Sequence, residues 1–281
     1  MQAQADSSAV KHRIKITEVY VQTGFVAHNK AVNTLDDFRK LAPQSTLLDS
    51  NFNGYSSHSN AFTNNVGFAF STLVGINFLN HQKTNYNSNP QLRLGISYMS
   101  GISMSRSLRK EDTKPYDTLT SSQTGEIILI DSVSTNHFNM QYNNEQLRLH
   151  ASLIFRTNPK ARWSLYTGAG ITAGMSFNAH TQIGFSHSNS TTVNNSGNYY
   201  GDTYGSYDQT TEDFINKNSF GFSAFIPLGV DWRVARKREF WKRLHLYCEL
   251  GEQIDFSTVP ELRTYTSSGI TFSLGLRVTV D

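Results

Sequence analysis

The sequence predicts an all-β protein, an up-and-down antiparallel transmembrane β-barrel of eight strands with long extracellular loops. Three observations carry this. Apolar residues recur at every second position over stretches of about a dozen residues, where soluble strands usually run to about 5–6 and membrane-spanning ones to about 9–11. The opposite parity holds glycine, serine and charges, not an aliphatic core. The connections alternate strictly between short and long.

Strand one is expected over about 14–27, with Val19, Val21 and Phe25 on one face. Ile14 and Ile16 fall on the other parity, which a β-bulge would reconcile. Strand two, about 62–79, turns Val66, Phe68, Phe70, Val74, Ile76 and Phe78 outward. Strand three, about 91–106, sets Leu92, Leu94, Ile96, Tyr98, Ile102 and Met104 against Arg93, Gly95 and Ser97. Strand four, about 143–156, places Leu147, Leu149 and Leu153 outside, with Arg148, His150, Ser152 and Arg156 inside.

Strand five, about 162–184, begins WSLYTGAGITAGMSFNA. Its GAGITAG centre has the look of a phosphate loop, but the third glycine comes one residue late for G-x-G-x-x-G. No amphipathic helix follows it either. As a strand, Gly168, Gly170 and Gly174 face an interior where larger neighbours must fit. Strand six, about 218–235, points Asp231 and Arg233 inward. Strand seven, about 244–257, does the same with His245, Tyr247, Glu249 and Gln253, and strand eight, about 268–280, with Arg277. Glu252 breaks the apolar face of strand seven and is expected at the outer rim.

A soluble barrel keeps its apolar side chains inside. Here the inward faces hold charges, which must be paired where they are buried. We therefore expect a lumen network of Arg93, Arg148, His150, Asp231, Arg233, Glu249 and Arg277 that plugs the barrel. A mean hydropathy of −0.42 and the lack of a long apolar run exclude transmembrane helices but leave a barrel open. A net charge of +3 without a basic, aromatic-interleaved patch excludes a nucleic-acid partner. The single cysteine, Cys248, excludes an intrachain disulfide. Residues 1–12 are expected to form a periplasmic tail, with Ala3-Gln4-Ala5 resembling the end of a cleaved signal, and 13–281 a single barrel domain.

The stretches EQLRLHASLIFRTNPKARWSLYTGAGITAG and SGITFSLGLRVTV give the chain its resemblance to the small outer-membrane β-barrel family, OmpA- and OmpX-like, in its Bacteroidota form. The resemblance implies an integral protein of the Gram-negative outer membrane, in contact with lipopolysaccharide and phospholipid. It also implies no cofactor, and a non-enzymatic role in anchoring, adhesion or a larger envelope complex with other envelope proteins.

Function is expected in the long loops, which rigid scaffolds use for binding. In loop one, NTLDDFRKLAP predicts a short helix capped by Asn33 or Thr34 and stopped by Pro43. Leu35, Phe38 and Leu41 share its apolar face, either as a lid on the barrel mouth or as a docking element for a partner. In loop two, residues 121–133 predict a hairpin above the barrel, or further strands that raise the count to ten. Loop three, rich in Tyr, Gly, Ser and Asn, suits adaptable binding or a solvated tip. Two alternatives remain. One is a narrow pore. The other is a lipid acyl hydrolase using His150, Ser152 and Glu249, which parity disfavours by placing His150 and Ser152 inside. His180, Gln182 and His187 lack metal-ligand spacing, so no metal site is expected.

Overall fold

The computed structural model describes residues 15–28, 31–32, 34–57, 65–77, 90–101, 103–120, 122–123, 125, 127–158, 161–195, 198–235 and 238–280. The expected tail over 1–12, and the expectations for Ile14, Asn33, Phe78 and Ile102, lie outside these residues. In chain order the elements are β1 (Lys15–His28), β2 (Ala31–Val32), α1 (Leu35–Leu41), a 3-10 turn (Leu47–Asp49) and β3 (Ser56–Ser57). Next come β4 (Asn65–Asn77), β5 (Gln91–Ser100), β6 (Met104–Thr120), β7 (Ile127–Arg156), β8 (Trp163–Asn195) and β9 (Asn198–Ile215). Last are β10 (Phe220–Arg233), α2 (Glu239–Arg243), β11 (Leu244–Thr258) and β12 (Thr264–Thr279).

Eight antiparallel strands close a ring in the order β1, β4, β5, β7, β8, β10, β11, β12 and back to β1. Starting at Glu18 and stepping through hydrogen-bonded partners, the row passes Gly75, Arg93, Ser152, Gly170, Phe225, Gln253 and Gly269. It returns to β1 at His28, ten residues above its start (28 − 18). That stagger tilts the strands by about 40°, a normal slope for a barrel of this size.

The outer surface is apolar around the ring. Phe25, Phe68, Leu149, Leu165, Ile226, Leu250 and Leu274 are all exposed. On β10 this face runs from Phe220 to Trp232, which at about 3.3 Å per residue and about 40° of tilt makes a band about 30 Å tall, the thickness of a bilayer core. At its turn end Trp163 stacks on Trp232 with centroids 5.6 Å apart. Near its loop end Tyr98 lies between Phe68 and Phe177. Aromatic belts at both edges are what a membrane barrel requires.

The inner face is narrow, and glycine makes room in it. A Cβ on Gly170 would lie 2.2 Å from the Phe225 ring, and one on Gly229 would lie 2.1 Å from the Tyr166 ring. Both are direct cross-strand pairs, so each aromatic side chain lies over the glycine opposite.

The bulge expected in strand one is present, with the β1–β4 register shifting between Ile16 and Glu18, so that Ile16 also faces outward. Strand three needs correction. The barrel strand ends at Ser100, and from Met104 the chain resumes as β6 along the same neighbour, β7, one residue out of the earlier register. The shift resets the side-chain parity, so Met104 is buried in a second core and does not face outward. Strands four and five were expected to end near the rim but continue to the tips as β7 and β8, at 30 and 33 residues. Beyond the ring, β6, β7, β8 and β9 make a four-stranded sheet that projects past the loop end. Loop two is thus the expected hairpin, and the ring holds eight strands, not ten. Loop three takes the form of the β8–β9 ladder.

Candidate functional site

Two regions stand out, the braced lumen and the projecting sheet with its helix. Alternation brings one inward residue per two positions on every strand, so charges from distant parts of the chain meet inside the ring. Among the described residues, the buried charges comprise four arginines (Arg93, Arg148, Arg156, Arg277) and four carboxylates (Glu18, Asp231, Glu249, Asp255), an even balance.

They sit in three tiers. Near the turn end, Arg277 Nη1 donates to Glu18 Oε1 at 2.5 Å and its Nε pairs with Asp231 Oδ2 at 2.7 Å. Arg156 bridges the same two carboxylates at 3.6 and 3.5 Å. Gln91 Nε2 donates to Glu18 at 2.6 Å, the Tyr20 hydroxyl also bonds Glu18, and His245 Nδ1 meets Asp231 Oδ1 at 2.6 Å. In the middle, Arg93 Nη1 donates to Glu249 Oε2 at 2.8 Å and its Nε to Ser152 Oγ at 3.1 Å. The guanidinium lies over Tyr20 and Tyr166, 5.6 Å from each centroid, and the Tyr166 hydroxyl donates to Glu249 at 2.9 Å. Near the loop end, Arg148 Nη1 meets Asp255 Oδ1 at 2.9 Å, its Nε donates to Gln146 at 2.6 Å, and Gln253 donates to Asp255 at 2.6 Å.

Of the expected lumen residues, Arg93, Arg148, Asp231, Glu249 and Arg277 join these tiers directly. Arg233 is half-buried at the turn end, directly across from His245 in the ladder. His150 is inside but touches hydroxyls, not carboxylates: Ser152 Oγ at 3.1 Å and Ser97 Oγ at 3.5 Å, with its ring 5.1 Å from Phe225. Glu18, Arg156, His245 and Asp255 complete the network, and their inward parity was the signal that could have included them. The space left beside His150 and Glu249 is a cavity of about 50 Å³, room for a water or two.

The hydrolase arrangement does not assemble. His150 does reach Ser152, but Arg93 occupies that hydroxyl, and Glu249 is engaged by Arg93 and Tyr166. A catalytic histidine needs its acid on the second ring nitrogen; here that nitrogen faces Ser97.

Above the ring, the four continuing strands bend at one level. There β8 carries a bulge, with Asn178 and Ala179 opposite the single residue Asn144 of β7 and Asn178 at φ 54°, and residues 216–219 separate β9 from β10. Asparagine tolerates this left-handed conformation better than most residues. Polar bonds tie the bend together. Gly101 N donates to Asn144 O at 2.9 Å, Asn144 Nδ2 to Ser219 Oγ at 2.9 Å, and Ser176 N to Ser219 O at 2.7 Å.

Helix α1 lies against this projecting sheet. Thr34 caps it, with a reciprocal bond to Asp37, and its first turn is acidic and its last basic. Phe38 (0% exposed) and Leu41 (2%) pack into a core with Met104, Leu108, Phe138, Met140 and Ile183, and Leu35 flanks it. The expectation that Leu35, Phe38 and Leu41 dock a partner is therefore corrected. Their apolar face is already filled by their own chain, as a lid. Asn216 Nδ2 holds the helix end through Leu41 O at 2.7 Å. Past the helix, Ser45 and Thr46 hydroxyls each donate to Glu212 at 2.5 Å. Burial pushes the Glu212 carboxyl up, but these hydroxyls and the backbone N–H groups of Thr46 and Leu47 outweigh it, and its pKa falls below the ordinary 4.5.

No family model and no curated protein matches the chain. Among solved structures it is similar to Neisserial surface protein A, at 14% identity over 93% of this chain and 97% of that one, with a TM-score of 0.28. It is similar also to Ail, the attachment invasion locus protein of Yersinia pestis, at 12% identity over 94% and 99%, with a TM-score of 0.27. At such scores the fold stands on this chain's own strand register.

Proposed function

We propose that this chain is an integral outer-membrane barrel that acts without catalysis, as an anchor whose extracellular projection meets another envelope protein or the surroundings. One observation carries the reading. An apolar-skinned barrel with its lumen filled by paired charges holds up a four-stranded sheet whose inner face is already covered, leaving its outer face and its tips, where Leu119, Ile127 and Leu129 are exposed, to solvent. The lumen network supports a plug over a pore. The engagement of Ser152 and Glu249 by Arg93 supports a structural role for them over acyl hydrolysis.

Labelling of intact cells with a membrane-impermeant thiol reagent tests this, in a Cys248→Ser background. Cysteines at Tyr116 and Tyr207 are expected to label from outside, and one at Trp241 only after the outer membrane is opened. Fractionation with the inner membrane, or labelling at Trp241 in intact cells, would sink the proposal.

A further inference from the structure

On the outer wall, Glu252 sits among apolar neighbours. Its cross-strand partners are Ile226 and Ile270. Along β11 the same face continues with Ile254 and Phe256 toward the loop end and with Leu250, Cys248 and Leu246 toward the turn end. The sequence suggested a rim position. The structure instead puts this exposed carboxylate inside the apolar band, and it has no ion pair among the described residues. Charged groups facing lipid at such depth are disfavoured, and intramembrane ionisable residues commonly mark sites of interaction.

Beside Glu252 the wall is hollow. A groove of about 660 Å³ runs across β7, β8, β10 and β11, floored by Ala151, Ala169 and Ala224 and edged by Ile226 and Ile254. It lies over a gap in the β8–β10 ladder, where the register passes from Phe225↔Gly170 to Leu228↔Thr167 around Pro227. Proline has no N–H to give, and Thr167 Oγ1 instead bonds Pro227 O at 3.0 Å. Small residues let another backbone approach closely within a membrane.

Building on the membrane-barrel reading, we propose that this groove seats a membrane-embedded segment of another protein, whose lysine or arginine side chain meets Glu252. Charge complementarity selects the occupant. A lipid headgroup stays at the interface, while Ile254 and Phe256 separate Glu252 from the nearer edge. A second copy of this chain brings no cation, because among the described residues the outward face of the band carries no Lys or Arg. A symmetric contact would set Glu252 against Glu252.

The test places a photo-crosslinking benzoyl-phenylalanine at Ala224, inside the groove, and at Phe70 on the far wall, in the full-length protein in its native outer membrane. Phe70 is expected to give lipid adducts. Ala224 is expected to give an adduct with a protein segment that contains a lysine or arginine. E252K should cut that adduct roughly tenfold, since like charges in a buried contact are strongly disfavoured; E252Q should reduce it less. Replacing the cross-linked cation with glutamate should restore it in E252K. Heat-modifiable migration on gels establishes that each variant is folded. Lipid-only adducts at Ala224, adducts to a second copy, or protein adducts indifferent to E252K overturn the proposal. No lipid adduct at Phe70 removes the membrane barrel itself, and the proposal with it.

Discussion

Arg93 on β5 and Glu249 on β11 stand on diametrically opposed strands of the ring and meet across the lumen at 2.8 Å, both buried. The contact spans 156 residues of sequence. Breaking one partner of such a pair leaves a buried charge, at a cost of about 3–5 kcal/mol, whereas replacing both with apolar residues of similar volume can be close to neutral. We expect E249Q and R93M each to lower the unfolding midpoint in detergent–urea titrations, and the R93M/E249L double variant to recover much of the loss. Additive losses would show that the contact is not coupled.

The electroneutral lumen predicts electrical silence. Purified protein in planar bilayers is expected to show no steady current at 1 M salt. A stable open conductance that changes with R148A or E249A would overturn the plugged lumen.

Gly229 and Gly184 make a matched pair. A methyl group at Gly229 would meet the Tyr166 ring at 2.1 Å, whereas one at Gly184 has nothing nearer than Asn139 O at 3.7 Å. G229A is expected to destabilise by about 1–3 kcal/mol through overpacking, and G184A to stay within about 0.5 kcal/mol of the parent. Equal effects in urea titration would contradict the stacking of Tyr166 on Gly229.

The lid can be loosened without touching the barrel. F38A removes a fully buried ring and is expected to cost about 3–5 kcal/mol locally. T34A removes the cap, at about 1 kcal/mol. Limited proteolysis should then cut between residues 42 and 57 while the barrel keeps its heat-modifiable migration. Loss of the barrel itself would mean that the two cores fold as one.

Glu212 gives the lid an acid dependence. Its carboxyl is depressed in the folded state, so its contribution is complete above the ordinary 4.5 and is lost as pH falls through the lower folded value. Hydrogen exchange at Thr46 and Leu48, corrected for intrinsic rate, should rise in that acid range. E212Q should exchange faster at neutral pH and show little further change. A wild-type profile that E212Q leaves unchanged at every pH would contradict the latch.

The ring was legible because a two-residue period survives every strand that faces lipid. Alternation through Leu244, Leu246, Cys248 and Leu250 needs no knowledge of the neighbours. Parity even located the bulge beside Ile16. It failed where the apolar partner changes. Beyond Asn144 and Asn178 the strands leave the band and the outward apolar alternation lapses, so the sequence shows a hairpin in loop two but not that β7 and β8 run unbroken from the barrel to the tips. The shift in pairing between Ser100 and Met104 reverses the sense of Met104. Parity could list Arg93 and Glu249 as inward, but which charge meets which depends on stagger and side-chain reach across the ring. The helix was legible from its cap and charges; what covered Leu35, Phe38 and Leu41 was not, because the covering residues come from four other segments.

The run of β7 and β8 from the turn end to the tips, shifted in register by one residue at Asn144, also bears on how the molecule carries load. A pull on the projection is carried by two continuous strands, not by a flexible joint, and the hydrogen bonds between them would have to slide past one another together instead of opening in sequence. Tension applied to the projection would thus reach the turn end along these two strands, with the ion pairs across the lumen as cross-struts.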